Sequence, residues 1–204
     1  MCWCDALRPF TIGFELALLM HPKEARVAIG TGRLVHRAVT GSHLLINERF
    51  DDDPRLAALL ARDLSPVIVF PRADAHDLDV GPPVFDKPPL VLFIDGTWST
   101  AKKLLRLAPK LAALPAIRFS PSSVSRYGRL RKEPRAEYTS TLESVHHVID
   151  RFDALGLAPV DPSGSGGRPH DHLLRLMEEV VARQLAFEPD TGAPAARGTA
   201  RSTA

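Results

Sequence analysis

Cysteine and aromatic side chains are scarce: two cysteines in 204 residues, and 6% Phe, Trp and Tyr together. The two cysteines, Cys2 and Cys4, are separated by one residue. A disulfide across that spacing is strained, which argues against a disulfide scaffold. Half of a zinc site and a pair of plain thiols on a frayed terminus both remain open, since zinc takes about four ligands and no second cysteine pair follows. No apolar run reaches the roughly 18 to 20 residues that span a bilayer. The start lacks the basic, apolar and small-residue sequence of a signal peptide, so cytoplasm is the expected compartment. No G-x-G-x-x-G opens a helix after a strand and there is no G-x-x-x-x-G-K-[ST], which disfavours a nicotinamide or ATP enzyme. G-x-S-x-G and a zinc-hydrolase helix are missing as well. His146 and His147 are neighbours on a predicted helix, face different ways, and make no metal pair with each other.

What is present is an ordinary globular composition, 45% hydrophobic and 25% charged, in a chain long enough for one sizeable core. The net charge of +2 hides an asymmetry. Ten basic residues lie between Lys102 and Arg135 (Lys102, Lys103, Arg106, Lys110, Arg118, Arg126, Arg129, Arg131, Lys132, Arg135), against one acid, Glu133. A basic block inside a folded domain attracts polyanions, although a solvated face gives the same pattern.

Two runs, SPVIVFP (65–71) and PPLVLFID (88–95), read as strands buried on both faces, the type found in parallel sheets. FELALLM (14–20) suits a strand or a helix turn, SHLLINER (42–49) a short strand and AIRFS (116–120) a third buried strand. HPKE (21–24) reads as a turn into a short helix, and Gly30 and Gly32 mark a loop. Helices are predicted over 53–63, with Asp53 as cap and Pro54 at its start, and over 97–111, with Trp98, Ala101, Leu104, Leu105 and Ala108 on one face. Further helices follow over 140–156, ending at Gly156, and over 171–187. Residues 72–79 read as a polar loop, 161–170 as a linker and 188–204 as a disordered tail. The alternation predicts an α/β fold with a mostly parallel sheet flanked by helices. Ligands of such sheets bind beyond the carboxyl ends of the strands.

Asp95 stands at such an end, in LFIDGTW (92–98). It either caps the next helix or acts on a substrate. Trp98 is either core or part of a binding site. STLE (140–143) has the form of a capping box, with Ser140 as cap and Glu143 three residues on, and a helix start also offers N–H groups to an anion.

Four pieces in order, TGRL (31–34), DGTW (95–98), SRYGRLRKEP (125–134) and STLES (140–144), resemble the DTW-domain family, as do HPKE and VFPRADAHDL (69–78). The likeness covers about residues 2–155, within a domain expected over 1–160. It implies a tRNA-uridine aminocarboxypropyltransferase, which moves the 3-amino-3-carboxypropyl group of S-adenosylmethionine to N3 of a uridine in tRNA and releases methylthioadenosine. It also implies a SPOUT-like fold with a C-terminal trefoil knot. On this reading Asp95 is the general base, since burial beside Trp98 makes an aspartate a better one, and Glu143 is a second catalytic candidate that would bind the ammonium of the co-substrate. Pro71, Thr97, Trp98, Ser140, Thr141 and Leu142 would hold S-adenosylmethionine. Arg33, Lys102, Arg126, Arg129, Arg131 and Lys132 would hold tRNA phosphates, and Tyr127 would stack on the flipped uracil or merely pack. Family members often carry more N-terminal cysteines, suggesting a zinc knuckle, of which Cys2 and Cys4 would be the remainder here. A SPOUT-like RNA methyltransferase and a non-catalytic RNA-binding module are the alternatives. Oligomeric state is not legible.

Overall fold

The computed structural model describes residues 3–27, 30–120, 139–161 and 167–187. Within them the strands are β1 (Glu15–Met20), β2 (His43–Ile46), β3 (Ser65–Val69), β4 (His76–Asp77), β5 (Pro89–Asp95) and β6 (Ala116–Arg118). They form one sheet in the order β2-β1-β5-β3-β6-β4, and every pairing is parallel. Parallel neighbours need crossovers, and the helices supply them. These are α1 (Thr31–Ala38), α2 (Pro54–Leu60), α3 (Trp98–Leu107), α4 (Pro109–Ala112), α5 (Thr141–Ala154) and α6 (Asp171–Phe187).

Side chains alternate across a strand, so each inner strand feeds two cores. Leu16, Leu18, Val91 and Phe93 point to the layer holding α1, α5 and α6. Ala17, Leu19, Leu90 and Leu92 point to the layer holding α2, α3 and α4. This double burial is why β1 and β5 read as unbroken apolar runs. It also decides the ambiguity at FELALLM in favour of a strand.

Three local expectations are corrected. The loop expected at Gly30–Gly32 is the start of α1, with Gly30 in the capping position and Gly32 buried in the first turn. The helix expected over 97–111 breaks at Ala108, because Pro109 has no N–H to donate and restricts the residue before it. The polar loop at 72–79 contains the two-residue edge strand β4, which pairs with β6. The helix over 140–156 ends as expected: Leu155 caps it and Gly156 takes φ of +68°, a conformation glycine adopts without strain. Leu173, Leu176, Met177 and Val180 of α6 are buried in the same core as α1 and α5. No helix of the described residues is long and apolar enough to cross a membrane.

Candidate functional site

β1 and β5 run side by side in register, Met20 opposite Asp95, and both end at the same edge of the sheet. One residue further, the His21 N–H donates to the Asp95 carbonyl at 3.1 Å. The helices α1, α3 and α5 all begin at or near this edge. Helix starts carry unsatisfied N–H groups and partial positive charge, so several of them together favour an anion.

The Asp95 carboxylate lies among these starts. The residue is 4% exposed. The Thr141 hydroxyl, in the first turn of α5, donates to Asp95 Oδ1 at 2.6 Å. Gly32, in the first turn of α1, faces the same carboxylate: a Cβ at that position would lie 2.6 Å from Asp95 Oδ2 and from Cγ. Only a residue without a Cβ lets α1 approach so closely, and that accounts for the glycine in TGRL.

Asp95 is not the cap of α3. Thr97 is, its hydroxyl oxygen accepting from the Thr100 N–H at 3.3 Å. Trp98 is half-buried in the first turn of α3, with its ring tilted against Phe70 at 5.9 Å between centroids. Pro71 follows Phe70 and is exposed, so this contact joins the Pro71 segment to Thr97 and Trp98. At the start of α5 the capping box is complete. Glu143 Oε2 accepts from the Ser140 N–H at 2.9 Å and from the Ser140 hydroxyl at 2.8 Å, and Ser140 Oγ accepts from the Glu143 N–H at 3.3 Å. Leu142 is fully buried in the core.

Of the basic residues expected to meet RNA, Arg33 is half-buried and donates to the Val27 carbonyl, which ties the chain ahead of α1 to its first turn. Lys102 is exposed on α3. Arg126, Tyr127, Arg129, Arg131 and Lys132 lie outside the described residues, as does Cys2. Cys4 is exposed on a short 3-10 turn (Cys4–Ala6).

Two residues of this edge carry more than the sequence reading gave them. Gly32 was a loop marker there, and His21 only part of a turn. The His21 side chain is 1% exposed, its Nδ1 accepts from the Lys23 N–H at 3.1 Å, and its Nε2 lies 3.1 Å from Glu48 Oε1. Glu48 in turn lies 3.6 Å from the Lys103 ammonium. The signal was available: a histidine follows FELALLM directly as an aspartate follows VLFI, a polar residue at the end of a doubly buried run.

The family model described as "DTW domain" matches residues 1–185. The chain is 28% identical over 197 residues to tRNA-uridine aminocarboxypropyltransferase 2 of Mus musculus, covering 90% of this chain and 65% of the relative. It is 27% identical over 155 residues to the protein of the same name from Drosophila melanogaster, covering 73% and 61%. With the Macaca fascicularis protein of that name it shares 28% over 194 residues, covering 88% and 64%. The chain thus spans a little under two thirds of the length of these curated relatives. No solved structure matches it at a significant level. With four ordered motifs on the sequence, three of them meeting at one sheet edge, and a family match over nearly its whole length, the chain belongs to the DTW domain family.

Proposed function

We propose that the protein transfers the 3-amino-3-carboxypropyl group of S-adenosylmethionine to N3 of a uridine in tRNA, acting in the cytoplasm. The observation that carries this reading is a buried carboxylate, Asp95, held at the end of a parallel strand by Thr141 and faced by Gly32, with capping of α3 left to Thr97. The relatives' shared name supplies the group transferred.

Uridine N3 bonds to the carbon attached to the sulfonium, the carbon–sulfur bond breaks, and its electron pair returns to sulfur as methylthioadenosine leaves. The N3 proton must go to a base, and Asp95 is that base. A carboxylate only 4% exposed receives it through a more accessible neighbour, and the half-buried Thr141 hydroxyl, already hydrogen-bonded to Oδ1, is suited to relay it. The first turn of α5, with Ser140, Thr141 and the Leu142 backbone, suits the carboxylate of the co-substrate. Glu143 is the counter-charge for its ammonium. Pro71, Thr97 and Trp98 form the opposite wall. Arg33, Lys102 and the basic residues 126–132 bind tRNA phosphates, so affinity falls steeply with salt. The finer fold assignment, SPOUT-like with a C-terminal knot, is part of the same proposal; an all-parallel sheet whose spatial order departs from chain order supports it.

The test is to incubate the purified chain with unmodified tRNA transcript and S-adenosylmethionine, digest to nucleosides and read masses. A uridine heavier by one aminocarboxypropyl group is expected. A methyl adduct would instead assign an RNA methyltransferase. Salt-sensitive tRNA binding without any adduct would leave an RNA-binding module.

A further inference from the structure

Away from Asp95, where α5 meets the start of α6, the side chains of His146, Asp150 and His170 converge, with Asp171 beside them. His146 and Asp150 are four residues apart on α5 and share a face. His170 and Asp171 open α6. His170 Nε2 lies 2.7 Å from Asp150 Oδ1 and 3.7 Å from Asp171 Oδ1. His146 Nε2 lies 2.9 Å from Asp171 Oδ1, and His146 Nδ1 lies 3.7 Å from Asp150 Oδ2. One ligand atom from each of His146, Asp150 and His170 falls within 4.8 Å of the others. Donors bound to a tetrahedral zinc at about 2.0–2.2 Å stand about 3.3–3.5 Å from one another, so these three need only a small contraction to reach that spacing.

The surroundings favour a ligand set over a chance meeting of charges. The His170 side chain is fully buried. Its Nδ1 has no hydrogen-bond partner among the described residues. Arg168 is the competing cation: its guanidinium lies 2.8 Å from Asp150 Oδ1 and 3.0 Å from Asp171 Oδ2. The carboxylates of Asp150 and Asp171 outnumber the Arg168 guanidinium by one negative charge, which a divalent ion reverses. Asp150 has a second oxygen, Oδ2, which can turn to a metal while Oδ1 keeps Arg168.

We propose that His146, Asp150 and His170 form a divalent transition-metal site of the zinc class that clasps the start of α6 to α5, with Asp171 outside the ligand set as a partner of His146 Nε2. Two imidazoles and one carboxylate suit zinc or cobalt and are a poor set for magnesium or calcium. Bound metal would fix the helix whose first turn holds Thr141 against Asp95.

The experiment uses the full chain carrying Cys2→Ser and Cys4→Ser, so that the N-terminal thiols cannot take the ion. The chain is stripped with a chelator, loaded with zinc and passed through gel filtration, and the metal is counted. One zinc per chain is expected, with a rise in Tm on loading and the visible absorption of tetrahedral cobalt when Co2+ is used. His146→Gln and Asp150→Asn, both checked for folding by circular dichroism, should lose the ion. Arg168→Ala, which removes the competing cation, should hold it at least as tightly. Loss of zinc on gel filtration with no change in Tm overturns the proposal, and so does zinc retained undiminished in folded His146→Gln.

Discussion

Two aspartates in this protein stand between a strand and a helix, both almost fully buried, and they do different work. Asp53 is 2% exposed and Asp95 is 4% exposed. Asp53 Oδ1 accepts from the Arg55 N–H at 2.9 Å and from Arg55 Nε at 3.1 Å. Its Oδ2 accepts from Arg55 Nη2 at 2.7 Å and Asn47 Nδ2 at 3.1 Å. Those donors all lie within six residues of it. Asp95 takes its Oδ1 hydrogen bond from Thr141, 46 residues along the chain, and meets Gly32 on a third segment. Burial alone therefore does not mark a functional carboxylate. A cap is satisfied by its own turn, whereas Asp95 is where three motifs far apart in sequence come together.

The largest effect expected is on activity. Asp95→Asn keeps the size of the side chain and an oxygen for Thr141 but removes the base. Modification of tRNA should fall by about 10²–10⁴-fold, the usual contribution of general base catalysis, with the far-ultraviolet circular dichroism spectrum unchanged. Asp53→Asn should leave modification per folded molecule unaltered. Equal activity in wild type and Asp95→Asn would make Asp95 a second structural aspartate and collapse the distinction.

Gly32→Ala sharpens the same contrast from the other side. The new methyl must displace either the Asp95 carboxylate or α1, and overpacking of this kind costs about 1–3 kcal/mol, readable as a lower midpoint in denaturant. Activity should fall further than this loss of folded protein explains. An alanine tolerated in both assays would mean that α1 stands farther from Asp95 in solution.

Asp53→Ala is expected to act through stability alone. Loss of a helix cap costs about 1–2 kcal/mol, seen in chemical denaturation, while turnover per folded molecule stays at the wild-type value.

The contrast was half legible in the sequence. Asp53 was readable as a cap because its partners are local: Pro54 and an apolar helical period follow at once. The doubly buried strands were readable too, since β3 and β5 leave no polar residue for a solvent face. The capping box of Ser140 and Glu143 was likewise complete in four letters. Asp95 was placed correctly at a strand end, but whether it capped α3 was undecidable, because Thr97 two residues on is an equally good cap. Gly32 misled, since two glycines around Thr31 read as a loop, and its actual cause, a carboxylate 63 residues later, is a tertiary contact. His170 was hidden for the same reason. It closes a stretch with linker composition, yet it is fully buried against α5.

The smallest effect concerns acid. Hydrogen bonds from the Arg55 side chain hold the Asp53 carboxyl well below its usual value of 3.8; burial opposes them, and Asn47 and the Arg55 N–H add to them. Asp171 is likewise lowered to about 2, chiefly by the side-chain hydrogen bond from Arg168. Because the folded state holds these carboxylates ionised more tightly than the unfolded chain does, they contribute stability above the unfolded value. That contribution is lost progressively as pH falls from about 4 toward the folded values. Denaturant midpoints measured from pH 6 to pH 2 should therefore decline with acidification, and Asp53→Asn should flatten the part of the slope below pH 4 while being less stable than wild type at pH 6. The two curves should draw closer toward the acid end, as the carboxyl of the unfolded chain becomes neutral while the folded one is still ionised. Parallel curves would mean that Asp53 is no better held in the fold than in the unfolded chain. The local cap would then lose the electrostatic character that sets it apart from Asp95.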